Sequence, residues 1–479
     1  MKSIWKKELH RTQMEVQTED MDTEVAVIGA GMTGILTAFL LQKQGKRVLV
    51  LEADRVGGGQ TGNTTAKITS QHGMKYQELI RKYGIERARL YAKANESAIR
   101  FYERIVEEEH IHCDFQRVPS YLYSVQKKQQ LKEEVQAARC LGIGASYVED
   151  IGLPISEAGA VRFENQAQFQ PLLFIEHLAK KLKVYEETEV YRVKGHTIYT
   201  NRGSINAKSI VFAVHFPFTI FPGFYYLRQH QERSYVIAYE GVAPISGLYY
   251  GIDEDALSYR MYDRWLLVGG GKHRTGYQDE NSGYAAIRRQ MLKVFPEAKE
   301  TRRWSAQDCM PHDGLPFIGH YSGLRPYWYV ATGYQKWGMT TAMVAAKLLC
   351  DQICGVTSPY ERLFSPQRWH PWKAARNFWK DVGISIRGLL KGYQMLSELQ
   401  EEDLLPGEGG IVRKGWKRYG CYRDIRGEYH RIDLRCPHMG CQLLWNPIEK
   451  SWDCPCHGSR FDYTGKQMDD PARKDRKPR

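Results

Sequence analysis

The sequence predicts a large α/β unit followed by a helical linker and a small all-β domain. Three observations carry this expectation. A strand, a glycine-rich turn, a helix and a second strand ending in an acid follow one another over residues 24–54. Composition changes at Val356, and "PGEGG" at 406–410 marks a boundary. Beyond it, short strand-like runs separated by turns surround a dense group of cysteines and histidines.

At 479 residues the chain has room for two or three domains. Its 42% hydrophobic and 26% charged content is an ordinary water-exposed balance. No run of about 18 apolar residues occurs, so no transmembrane segment is expected. The polar start "MKSIWKKELHRTQMEVQTED" lacks the apolar core of a secretory signal, and a cytoplasmic location is expected. The net charge of +13 is concentrated in "RKGWKRYG" and in "PARKDRKPR". No basic–aromatic module accompanies it, so nucleic acid is not expected as a partner. Cysteines 113, 140, 309, 350, 354 and 421 are scattered and read as inert thiols, while 436, 441, 454 and 456 are clustered. That asymmetry argues against a secreted disulfide scaffold.

The first element is "EVAVIGAGMTGILTAFLLQKQGKRVLVLEAD". Val25–Ile28 is a buried-type strand, and Gly29, Ala30, Gly31, Met32, Thr33 and Gly34 form the turn and helix start. "RVLVLE" is a second strand ending at Glu52. Gly29 permits the tight turn, Gly31 lets backbone approach a pyrophosphate, and Gly34 lets helix and strand pack closely. The helix N-terminus offers free N–H groups to phosphate, and Glu52 can accept from a ribose diol. A dinucleotide site of Rossmann type follows. "VGGGKHRTG" at 268–276 has no following helix or acid-terminated strand, and reads as a strand end and turn.

Two further blocks follow in order: "ADRVGGGQTGNTTAKITSQHG" and "RRWSAQDCMPHDGLPFIGHYSGLRPYWYVATGYQKWGMTTAMVAAKLLCDQI". With the first motif, over roughly residues 20–356, they resemble the D-amino-acid oxidase-like FAD-dependent oxidoreductases. The resemblance implies FAD as cofactor and an FAD-binding domain at about 20–75, 185–217 and 305–356, interleaved with an antiparallel-sheet substrate domain. It implies flavin contacts from Ala53, Thr61, Thr64, Thr65 and Ala66, and adenine packing by Val190. "YWYVATG" reads as a strand leading into Gly333, and a helical period runs from Met339. Gly338 would let backbone approach a ring, and Met339 and Thr340 would turn the positive helix end to the flavin.

The substrate side is carried by "SYRMYDRWLLVGGGKHRTG", expected to be a strand pair. Tyr259, Arg260 and His273 are the catalytic candidates, with Tyr262 and Lys272 beside them. Family members commonly clamp a substrate carboxylate with an arginine. Cys309 does not match the offset of a covalent flavin anchor. Residues 357–404 read as a linker in which Ile384, Ile386, Leu389, Leu390, Tyr393 and Leu396 approximate one helix face.

The C-terminal domain, expected over 405–479, contains Cys436-Pro-His438, fifteen residues, then Cys454-Pro-Cys456-His457. A zinc site, a disulfide framework and a [2Fe–2S] centre with two cysteines on one iron and two histidines on the other all use such residues. Only the last uses C-x-H and C-x-x-H together. "CPHMGC…CPCHGS" resembles the Rieske domains of respiratory type. The resemblance implies Cys436, His438, Cys454 and His457 as cluster ligands and a disulfide between Cys441 and Cys456. It places the Ser459 hydroxyl on a cluster sulfur, and Phe461 where high-potential members carry tyrosine, so a lower potential is expected. The usual final strand is expected to be shortened or replaced by "DDPARKDRKPR".

Together the two ends resemble D-amino-acid oxidase-like flavoproteins with a C-terminal Rieske domain. They imply a dehydrogenase that oxidises a small amine or amino-acid-like substrate. Its electrons leave singly to a one-electron carrier protein or a quinone. Electron flow inward to reduce a substrate, and a non-catalytic redox-sensing role, are the alternatives.

Overall fold

A computed structural model describes residues 3–6, 14–17, 19–155, 158–277, 283–368, 383, 399–415 and 417–475. The helix face expected at Ile384–Leu396 lies outside the described residues.

The nucleotide-type sheet has strand order Phe317–Ser322, Arg325–Thr332, Gly203–Phe212, Met21–Ile28, Val48–Leu51, Lys183–Tyr185. From Arg325–Thr332 to Lys183–Tyr185 neighbouring strands run parallel, and Phe317–Ser322 is antiparallel at the edge. Parallel strands are covered on both faces and read as continuous apolar runs, as Val25–Ile28 does. Helices Met32–Lys43 and Gly338–Ile353 pack on one face, in the main core. Phe212, Tyr225, Tyr321 and Trp328 fill a second core.

Gly29 has φ +105°, and a Cβ there would lie 2.7 Å from the Ala213 carbonyl oxygen. At Gly34 a Cβ would lie 1.8 Å from the Gly29 carbonyl oxygen, so only glycine lets the helix sit this close to the turn.

The second sheet has nine strands. Its path starts with Lys299–Pro311, Gln229–Glu240, Trp265–Arg274 and Ser258–Tyr262, all antiparallel neighbours. The expected strand pair at 258–274 is therefore present, and the glycines at 269–271 lie within a strand rather than in a second nucleotide turn.

The C-terminal domain is all-β. A three-stranded sheet (Gly409–Lys414, Lys417–Arg423, Tyr429–Ile432) lies beside a four-stranded one (Leu444–Asn446, Ser451–Asp453, Arg460–Asp462, Gln467–Asp469). Gln467–Asp469 completes that sheet against Arg460–Asp462. Past it the described residues, to Asp475, form no further strand. Ala472 N donates to Ser459 Oγ at 3.0 Å, and Arg473 reaches Glu189 and the Phe218 ring on the large unit.

Candidate functional site

The glycine turn opens on a cleft walled by Gly29, Gly31, Met32, Thr33, Glu52, Ala53, Thr61, Thr64, Val190, Gly333, Gly338 and Met339, all of them expected there. Gly31 caps the helix, and Met32 N donates to Thr61 Oγ1 at 3.0 Å. Glu52 ends its strand with Oε2 accepting from Ala30 N at 2.7 Å and Oε1 from Asp54 N at 3.0 Å. Burial raises its pKa and these donors offset part of the rise. The backbone approach at Gly31, the helix N-terminus and an acid at the strand end fit a dinucleotide.

The remaining expected flavin contacts are not in the cleft wall. Ala30 and Gly34 are structural, through the Glu52 hydrogen bond and the helix–turn contact. Ala66 (φ +54°) holds the loop with its N–H on Thr64 Oγ1. Thr340 Oγ1 donates to the Thr69 carbonyl at 3.0 Å and meets His72 Nε2, away from the cleft. Thr65 lines a second cavity instead.

That second cavity, about 550 Å3, adjoins the first and carries Lys67, Tyr250, Lys272, Asp308, Lys336 and Trp337 among its lining. Its size suits a small molecule. Lys336 pairs with Glu232 at 3.2 Å. Burial works against the Lys336 ammonium, but Glu232, Tyr250 and Asp308 together outweigh it and hold the pKa up.

The expected catalytic residues lie elsewhere. Arg260 is fully buried, donating to Gln168 Oε1 and to the carbonyls of Thr65, Ala66 and Phe169. Its donors tie the flavin-side loop to the sheet, leaving no fork for a carboxylate. Tyr259 points into the aromatic core beside Tyr123 and Phe295. His273 stacks on Tyr235, with Nε2 2.9 Å from its hydroxyl, near the C-terminal domain. Strand alternation explains part of this, since neighbours on one strand face opposite sides. Of the five candidates only Lys272 lines the cavity.

In the C-terminal domain, loops 436–441 and 454–459 bring the ligand set together. His438 Nδ1 lies 3.3 Å from His457 Nδ1. Cys436 and Cys454 are buried and their thiols interact. Burial lowers the pKa of His438 to about 4 and of His457 further, keeping both imidazoles neutral as metal ligands require. A disulfide joins Cys441 and Cys456, leaving two thiols and two imidazoles, the donor set of a histidine-ligated [2Fe–2S] centre. Ser459 lies against Cys436, and Phe461 is buried in the same apolar cluster as Cys454.

The two sites share a wall. Gln231 Nε2 donates to the carbonyl of His457 at 2.7 Å and of Asp470 at 3.1 Å. Gln307 Nε2 donates to the Gly458 carbonyl at 2.9 Å, and Gln307 itself lines the dinucleotide cleft. Asp470 and Arg473, from beyond the last strand, line that cleft too. Tyr226 meets the rings of His438 and His457 edge-on. Below, Arg233 holds Glu449 at 2.7 Å, and Arg460 holds Glu449, Asp453 and Asp469 at 3.1, 2.9 and 3.0 Å.

Residues 24–352 match the family described as FAD dependent oxidoreductase, and residues 396–477 the Rieske [2Fe-2S] domain. The Bacillus subtilis (strain 168) protein YhfW, named as a Rieske 2Fe-2S iron–sulfur protein, is 35% identical over 98% of this chain and 96% of its own length. The gamma-glutamylputrescine oxidoreductase of Escherichia coli (strain K12) is 22% identical over 70% of this chain and 85% of its own. The crystal structure of glycine oxidase from Geobacillus kaustophilus superposes with a TM-score of 0.61 and 18% identity, over 73% of this chain and 99% of that one. No helix among the described residues is long and apolar enough to cross a membrane.

Proposed function

The chain belongs to the FAD dependent oxidoreductase family and carries a Rieske [2Fe-2S] domain; from that premise we propose that it is a dehydrogenase of small amines or amino-acid-like substrates, acting at C–N. When bound, FAD supplies a two-electron hydride acceptor and the cluster a one-electron relay, so electrons would leave singly to a carrier protein or a quinone.

One observation carries the reading. Gln307 lines the dinucleotide cleft and holds the carbonyl next to a cluster-ligand histidine. A single side chain thus touches both the dinucleotide cleft and a cluster loop, a closeness that supports an internal electron outlet. The protein's own residues do the positioning. Gly31, at the start of helix Met32–Lys43, would let the backbone approach the pyrophosphate, Glu52 would take the ribose, and Gly338 would leave room for the ring. Arg260 fixes the Thr65–Ala66 backbone against which the substrate cavity is built. The relatives named gamma-glutamylputrescine oxidoreductase and glycine oxidase support an amine substrate.

Anaerobic mixing with a panel of amines, amino acids and hydroxy acids tests the reading. An amine or amino acid is expected to bleach the flavin. A flavin that only a reduced one-electron carrier bleaches reverses the direction. A flavin that nothing bleaches leaves the redox-sensing role.

A further inference from the structure

The catalytic candidates Tyr259, Arg260 and His273 line neither the dinucleotide cleft nor the substrate cavity. The dinucleotide cleft and the substrate cavity meet along a shared wall that includes Thr64, Ala306, Asp308, Lys336 and Gly338. Any substrate placed for transfer to the flavin must lie against this wall. Among the described residues lining the two cavities, Asp308 is the one carboxylate common to both. We propose that Asp308 is the general base that takes the proton from the substrate ammonium. The assignment rests on the amine-dehydrogenase reading above.

The surroundings of Asp308 suit a base. It sits opposite Glu232 in the strand register. Its Oδ2 accepts from Ser234 Oγ at 3.1 Å, which orients the carboxylate. The charged groups facing it are Lys336, ahead of helix Gly338–Ile353, and Glu232 and Arg233 on the neighbouring strand. Lys67 and Lys272 line the same cavity. Lys336 makes its ion pair with Glu232 at 3.2 Å and not with Asp308. Burial raises the Asp308 carboxyl to about 6, with Lys336 and Ser234 pulling part of the way back. That makes it about a hundredfold stronger as a proton acceptor than an ordinary aspartate, and still ionised at neutral pH.

The step balances. The substrate enters as an ammonium. Its N–H proton passes to an Asp308 carboxylate oxygen, leaving the nitrogen lone pair free. The adjacent C–H bond would then break, its hydrogen and electron pair leaving as hydride to oxidised FAD, and the lone pair would form the C=N bond of an iminium ion. Asp308, now a carboxylic acid, returns its proton to water.

Three proteins test the assignment: wild type, Asp308→Asn and Asp308→Glu, each loaded with FAD and cluster. The first readout needs no substrate. The absorption spectrum of the oxidised bound flavin is titrated with pH. Wild type is expected to show a transition near pH 6 that Asp308→Asn lacks. The second is the rate of anaerobic flavin reduction by the amine panel. Wild type is expected to accelerate with rising pH along an ascending limb near pH 6. Asp308→Asn should lose the limb and fall by about 100- to 10,000-fold, and Asp308→Glu should recover part of the rate with a displaced limb. If Asp308→Asn does not retain flavin, the glutamate variant decides: a displaced limb supports the assignment and an unmoved one overturns it. Asp308→Asn with wild-type rate and limb overturns the assignment alone. A wild-type flavin that no amine reduces overturns the dehydrogenase reading and the assignment with it.

Discussion

Replacing Arg233 with methionine should uncouple the two redox sites without emptying either. Arg233 is 2% exposed and its partner Glu449 is 11% exposed on the side chain. Two guanidinium groups, Arg233 and Arg460, face three carboxylates, Glu449, Asp453 and Asp469. Removing Arg233 leaves all three on Arg460 alone. Breaking one partner of a buried pair costs about 3–5 kcal/mol, because the remaining charge is stranded away from water. Tenfold per 1.4 kcal/mol converts this to about two to four orders of magnitude in the docked-to-undocked ratio. The proton equilibrium of Glu449 gives a similar size. Burial alone would raise its pKa, but Arg233 and Arg460 hold it at about 2 against an ordinary 4.5. That is ~3 kcal/mol. The folded pKa is depressed, so this contribution is fully present above about pH 4.5 and is lost as pH falls toward 2. The assay reduces the flavin photochemically and follows cluster reduction by freeze-quench EPR, which requires no substrate. Arg233→Met is expected to keep both cofactors and slow cluster reduction by at least about tenfold, with Glu449→Gln intermediate. Cluster reduction at the wild-type rate in both variants would refute the docking argument.

Three further outcomes are expected. Gly34→Ala puts a Cβ 1.8 Å from the Gly29 carbonyl oxygen, so the purified protein should lose its FAD, read from the flavin absorbance per chain. Phe461→Tyr adds a donor in the apolar cluster around Cys454. One hydrogen bond of about 1 kcal/mol corresponds to about 40 mV for a one-electron couple, so the cluster potential should rise by that order, and an unchanged or lower potential in a redox titration would remove the explanation. Cys441→Ser with Cys456→Ser opens a bridge spanning a sequence separation of 15 and should cost the C-terminal domain about 3 kcal/mol, seen as a lower denaturant midpoint.

The parts legible in the sequence are those written in local spacing. The turn from Gly29 to Gly34 and the acid at Glu52 need only a strand, a helix and backbone room. The Cys436–His438 and Cys454–His457 pairs lie on two short loops, so their convergence was readable as well. The coupling between them was not. Gln231 meets His457 across 226 residues and Gln307 meets Gly458 across 151, and no motif marks a glutamine that holds a carbonyl. Arg260 misled for a physical reason: the five donors that suit a carboxylate clamp equally suit four main-chain and side-chain oxygens in a buried loop. Asp308 carried one faint signal. With Ala306 it alternates along Lys299–Pro311 toward the same cavity, but only the fold shows that the cavity is there.

The central claim is that flavin and cluster form one internal circuit with electrons leaving through the cluster. Anaerobic stopped flow with a reducing amine, repeated over a range of protein concentrations, tests it most directly. Flavin bleaching should come first and cluster reduction second, at a rate independent of protein concentration. Cluster reduction that precedes flavin bleaching, or that scales with protein concentration, would contradict it.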